Sequence, residues 1–135
     1  MKQLRNALVL FALLPTFVLA QSAKQEPESL YQKRIRVVSA ITPKPEISRE
    51  QANEIYLLYF DLHLRFKCGP DAFYDRGDHW VLYPSNNDDC IQDKTPILIH
   101  KRSGKITWAK GNSYESPQAL ANAALLDFKQ GPKAP

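Results

Sequence analysis

Apolar side chains recur at three- and four-residue steps from Ala52 through Ile55, Tyr59 and Leu62 to Phe66, and Tyr56, Leu58 and Leu64 widen that stripe. A helix of about five turns with so broad an apolar face needs cover along its whole length. The start is marked as well. The Ser48 hydroxyl can accept from the amide of Gln51 while the Gln51 side chain reaches back, and Ile47 can pack on Ala52. Gly69 and Pro70 mark the end. The spacing therefore predicts a long helix over 48–66, and the rest of the chain has to supply the surface it lies on.

That surface reads as antiparallel sheet. His79 to Tyr83 alternates around Trp80 and Leu82, and Pro96 to His100 alternates around Ile97 and Ile99. Lys101-Arg102-Ser103-Gly104-Lys105 follows, with Gly104 free to take positive φ, and Ile106 and Trp108 resume the alternation, which predicts a hairpin. The β-branched residues Ile35, Val37, Val38 and Ile41 suggest a first strand within 30–41, stopped by Thr42-Pro43-Lys44-Pro45. Ser116 and Pro117 announce a short closing helix over 118–128, before Gly131. No βαβ alternation is present to build a parallel sheet. The expected fold is α+β: a long N-terminal helix packed on a curved antiparallel sheet, a short C-terminal helix and one disulfide.

The first twenty residues read as an export signal. Lys2 and Arg5 supply positive charge, the run from Ala7 to Leu19 is apolar apart from Pro15 and Thr16, and Val18-Leu19-Ala20 suits a signal peptidase that cuts after Ala20. An apolar stretch of about 13 residues is short of the roughly 20 that span a bilayer. The organisation expected is a signal peptide over 1–20, a polar leader over 21–29 and a single domain over 30–130. The mature chain carries no second apolar run and so no membrane span, and its expected address is the periplasm. Removing residues 1–20 takes two of the 18 basic side chains and none of the 14 acidic ones, leaving a net charge of +2. The basic character of the full chain is therefore not a nucleic-acid footprint, which needs cations concentrated on one face. Cys68 and Cys90 are the only cysteines, and in an exported protein they are expected to pair with each other. Closing a loop of about 23 residues removes roughly 3 kcal/mol of unfolded-chain entropy in the simplest model.

No arrangement of catalytic residues stands out. His63, His79 and His100 are isolated in sequence. Asp78 and His79 are adjacent, and neighbours on a strand point to opposite faces, so they are not expected to form a base dyad. No nucleophile elbow, zinc-binding helix, phosphate loop or dinucleotide fingerprint is present. The loop from Ser85 to Asp93 is rich in oxygen ligands but lacks the glycine and terminal glutamate of a calcium-hand loop. The chain is thus read as a non-enzyme with no metal and no cofactor. Two binding surfaces suggest themselves. One is a disulfide-stiffened polar display carrying Asp71, Phe73, Tyr74 and Asp75 on the Cys68 side and Asp88 and Asp89 on the Cys90 side, suited to a protein partner. The other is a small-ligand pocket between helix and sheet, lined by Tyr56, Tyr59, Trp80 and Trp108.

Four segments, "ISREQANEIYLLYF", "HWVLYP", "TPILIHKRSGKITW" and "SPQALANAA", resemble in type and order the small α+β immunity-protein families that neutralise toxins of bacterial competition systems. In those families a capped helix precedes a Trp-containing strand and a hairpin, here Pro96 to Trp108. The resemblance implies a protein partner, a toxin or an envelope hydrolase, and carries over no catalytic residue. The Cys68 and Cys90 pair has no counterpart in the pattern.

Overall fold

A computed structural model describes residues 26–63, 70–84, 95–109 and 111–131. Within them the chain is α+β, with three helices and a four-stranded antiparallel sheet: α1 (Leu30–Ser39), α2 (Arg49–His63), β1 (Pro70–Asp75), β2 (His79–Pro84), β3 (Ile97–His100), β4 (Ile106–Trp108) and α3 (Pro117–Gln130). The stretches expected as export signal and as leader up to residue 25, and both cysteines, lie outside the described residues, as does the far end of the helix predicted to reach Phe66.

The stretch expected as a first strand is helix α1. Its start is a capping box of the kind anticipated at Ser48. Ser29 Oγ accepts from the Gln32 amide at 3.1 Å, and Gln32 Oε1 accepts from the Ser29 amide at 2.8 Å. Two satisfied amide donors and an Ile35–Val38 step onto the core outweigh the modest dislike of β-branched side chains for a helix. The long helix is therefore the second helix of the chain and not, as expected, the N-terminal one. Its own box is as expected, with Gln51 N donating to Ser48 Oγ at 3.1 Å and Ser48 N to Gln51 Oε1 at 2.9 Å.

The sheet is a meander in the order β1-β2-β3-β4. Its register sets two kinds of row. Phe73, Leu82, Ile97 and Trp108 lie side by side on one face, as do Asp75, Trp80, Ile99 and Ile106. Tyr74, Val81, Leu98 and Thr107 form the row between them on the opposite face. The helices cover the first face. Leu82, Ile97, Ile99 and Ile106 are completely buried there with Ala52, Ile55, Tyr56, Leu58 and Tyr59 of α2 and Leu120 and Ala124 of α3. Helix α2 has hardly any free side because it packs on α1, on α3 and on β2, which is why its stripe reads so wide. Tyr31 donates to Asp127 at 3.0 Å, and Arg34 pairs with Asp61 at 2.6 Å, joining α1 to the other two helices.

The hairpin between β3 and β4 is as expected, with Gly104 at φ 75°. A Cβ there would lie 2.6 Å from the Pro117 ring, so the glycine serves both the turn and the approach of α3. The closing helix has its Ser116 cap and Pro117 start. At 14 residues against 15 for α2 it is not short.

Candidate functional site

Residues 70–75, expected as part of a displayed loop, form strand β1 instead. Alternation then divides the proposed binding residues. Phe73 turns inward, its ring edge-on to Trp80 at 5.4 Å and covered by the Arg49 guanidinium at 4.5 Å. It is a packing residue of the sheet margin rather than a surface anchor. Tyr74 turns outward and is 43% exposed. It is held between the Tyr83 ring, edge-on at 6.0 Å, and the Arg76 guanidinium, 4.9 Å from its centroid. The backbone of Asp71 sits at an irregularity where the register shifts between Pro70 and Ala72. Asp88 and Asp89 lie outside the described residues, together with Cys68 and Cys90.

Asp75 has a partner that the sequence reading missed. Its carboxylate accepts from Lys101 Nζ at 2.6 Å and from the Gly77 amide at 3.0 Å, which holds it below the usual carboxylate range, chiefly through the lysine. The Lys101 side chain is only 6% exposed, and its ammonium also lies 4.4 Å from the centre of the Trp80 ring. The same corner ties in the start of α2, because Trp80 Nε1 donates to Ile47 O at 2.7 Å and Ile47 N donates to Lys101 O at 2.8 Å. Lys101 was legible in sequence only as a turn residue. Nothing in its spacing pointed to a strand two turns away.

The four aromatic residues expected around a ligand pocket do not enclose one space. Tyr56 stacks on Phe60 at 4.4 Å, and Tyr59 lies among Phe60, His63, Trp108 and Tyr114 while its hydroxyl donates to Asn112 O at 2.7 Å. Both tyrosines are completely buried, and burial pushes the Tyr59 hydroxyl up to about 12. Trp108 donates to Thr95 O at 3.1 Å, whereas Trp80 belongs to the Lys101 corner. The polar tips of Tyr59, Trp80 and Trp108 each have a backbone carbonyl as partner, as buried aromatic residues require. His63 joins the cluster, its Nε2 2.6 Å from the Tyr114 hydroxyl. Burial lowers its affinity for a proton and Asp127 partly opposes that.

Asp78 and His79 do meet, contrary to the expectation from strand alternation. Asp78 belongs to the turn before β2, so its side chain is free to swing back, and its Oδ1 lies 2.7 Å from His79 Nδ1. The contact with the imidazole holds the Asp78 carboxyl below its usual range. The His79 ring stands edge-on to His100 at 4.9 Å, and His100 Nδ1 accepts from the Ser103 amide at 3.1 Å. A cleft of about 410 Å³ opens beside them, lined by Glu46, Gly77, Asp78, His100, Lys101 and Arg102. Its two signs of charge lie close together, which suits polar contact more than capture of one charge type. A second cleft, of about 550 Å³, lies between the first half of α2 and β1 and is lined by Arg49, Glu50, Asn53, Glu54, Pro70 and Phe73. No group of three or more His, Cys, Asp or Glu side chains is placed to hold a metal among the described residues, and no described helix is long and apolar enough to cross a membrane. Comparison with protein-family models, with curated proteins and with solved structures finds no match to this chain.

Proposed function

We propose that this is an exported, periplasmic protein of the immunity or inhibitor type, which binds another protein, a toxin or an envelope hydrolase, and blocks it. The observation that carries the reading is Tyr74. A large amphipathic ring, 43% exposed, stands on the sheet face turned away from the described helices, already steadied by Tyr83 and Arg76. Tyrosine and arginine are the residue types that dominate binding hot spots, and a ring already held in place loses little freedom when a partner closes over it. Val81, Leu98 and Thr107 continue the row away from Tyr74, with Tyr83 beside it, so the anchor stands on a continuous and largely apolar strip. The export signal, the Cys68–Cys90 pairing and the resemblance to immunity families support the same reading from the sequence. The aromatic residues of a small-ligand pocket support the alternative less well, because Tyr56 and Tyr59 are fully packed.

The test is capture from native envelope extract after cross-linking, followed by a functional assay of whatever is captured. Wild-type protein is expected to retain a partner whose periplasmic expression slows growth, and co-expression is expected to relieve that effect. Tyr74→Ala, removing a hot-spot ring, should weaken capture by at least about tenfold, equivalent to about 1.4 kcal/mol. Leu126→Ala, on the far side of the helical layer, should not. Equal protection by the Tyr74→Ala protein would overturn the reading.

A further inference from the structure

Strand β1 is at the margin of the sheet, and its hydrogen-bonding pattern shows what it offers. Arg76 N donates to His79 O at 2.9 Å, closing the β1–β2 turn. Alternation from that pair directs the amides of Tyr74 and Ala72 toward β2, opposite Val81 and Tyr83, and directs those of Phe73 and Asp75 outward. The N–H and C=O groups of Phe73 and Asp75 bond to no other described residue. The opposite margin differs, since β4 is already met by Tyr114, which exchanges two backbone hydrogen bonds with Ile106.

The open margin runs beside the cleft between β1 and α2. Any strand added to β1 would place the residues facing Phe73 and Asp75 with their side chains on the helix-covered face, and so toward that cleft. Its α2 wall carries Glu50 and Glu54, one helical turn apart, and neither has an ion-pair partner among the described residues. The one cation of the lining, Arg49, lies against the Phe73 ring.

We infer that β1 and this cleft form a docking site for an extended peptide segment that adds to the sheet as a fifth, antiparallel strand and sends a lysine or arginine side chain to Glu50 and Glu54. This deepens the protein-binding reading and rests on it. The partner would bring a basic β-strand to the margin while Tyr74 meets its neighbouring surface. Main-chain hydrogen bonds to Phe73 and Asp75 supply attraction without regard to sequence, and the acidic cleft supplies the preference. A second copy of this chain is a poor occupant. Its own β1, Pro-Asp-Ala-Phe-Tyr-Asp, carries no lysine or arginine to send to Glu50 and Glu54.

The test uses the whole mature protein and blocked eight-residue peptides that alternate lysine with valine. With the lysine peptide, amide hydrogen exchange at Phe73 and Asp75 should slow by at least about tenfold, while Tyr74, already bonded to β2, changes little. N-methylation of the lysine amides should abolish the effect and N-methylation of the valine amides should not, because only residues facing Phe73 and Asp75 use their main chain for pairing. A glutamate-for-lysine peptide should bind at least about tenfold more weakly, and the double variant Glu50→Gln, Glu54→Gln should erase that difference. Unchanged exchange at Phe73 and Asp75, equal effects of the two methylation patterns, or no charge preference would each overturn the inference. If these fail while Tyr74→Ala still abolishes partner capture, the outer-face reading stands and only the docking mode is lost.

Discussion

The Lys101–Asp75 pair is lopsided in a way that has consequences for substitution. The lysine is 6% exposed and the aspartate 57% exposed, so the ammonium is the group removed from water and the carboxylate is the one that can do without its partner. Breaking a pair costs most when the charge left behind is the buried one. Asp75→Asn should therefore lower the melting temperature more than Lys101→Met, which leaves a solvated carboxylate and an apolar chain on Trp80. Thermal unfolding of the two variants decides it, and the reverse order would mean the aspartate, not the lysine, is the committed partner. His63 gives a second residue-level expectation. Burial depresses its proton affinity in the folded state, so the unfolded chain binds more protons, and stability rises with pH through that window. Stability should be lost as pH falls from about 6.5, the ordinary histidine value, down through the lowered folded value. His63→Gln should flatten that part of a stability-against-pH curve measured with denaturant, whereas a curve of unchanged slope would remove His63 as its source.

At the scale of elements, caps and turns were the parts that sequence exposed best. Ser48 with Gln51, Ser116 with Pro117, and Gly104 each act within a few residues of themselves, so their pattern can be read before the fold is known. Helix α1 was misread although Ser29 and Gln32 form the same box as Ser48 and Gln51, because the run of β-branched residues behind it drew the strand reading. The cap was the stronger signal, since it satisfies amides that would otherwise lack partners, whereas β-branching shifts helix propensity by only tenths of a kcal/mol. Strand β1 was hidden for another reason. Its alternation is interrupted by the register shift between Pro70 and Ala72, and its mixture of aspartates and aromatics has the composition of a loop. The candidate site was legible as far as Tyr74 and Asp75, while Lys101, Arg76 and the Glu50–Glu54 wall depend on contacts between separate elements. If the Ser29 box holds α1 in place, Ser29→Ala should destabilise the protein by about 1 kcal/mol, within the 0.5–2 kcal/mol typical of lost N-caps. Denaturant unfolding with unchanged slope would report it, and a negligible effect would leave α1 held by its packing on α2 and α3.

Among the described residues the helices pack to one side of the sheet, and the row of Tyr74, Val81, Leu98 and Thr107 lies on the other, with Tyr74 exposed and the rest half-buried. The alternation along β3 makes the difference measurable with neighbouring residues. Ile99 is completely buried under the helices, and Leu98, beside it in the chain, lies in the row with Tyr74 and Val81. Removing a buried side chain loses both its transfer free energy and the contacts around the cavity it leaves, so Ile99→Ala should cost about 2–5 kcal/mol. Leu98→Ala leaves no enclosed cavity, and its cost should stay below about 1 kcal/mol. If the outer row is the surface that meets a partner, the order must invert in binding: Leu98→Ala should weaken partner capture, and Ile99→Ala should spare it at temperatures where the variant remains folded. Equal stability costs at the two positions would mean that the outer face is covered in the free protein, which would remove the surface on which Tyr74 is proposed to act. The opposite result, a cheap Leu98→Ala that also abolishes capture, joins the architecture to the function, because it shows one sheet using its two faces for separate tasks.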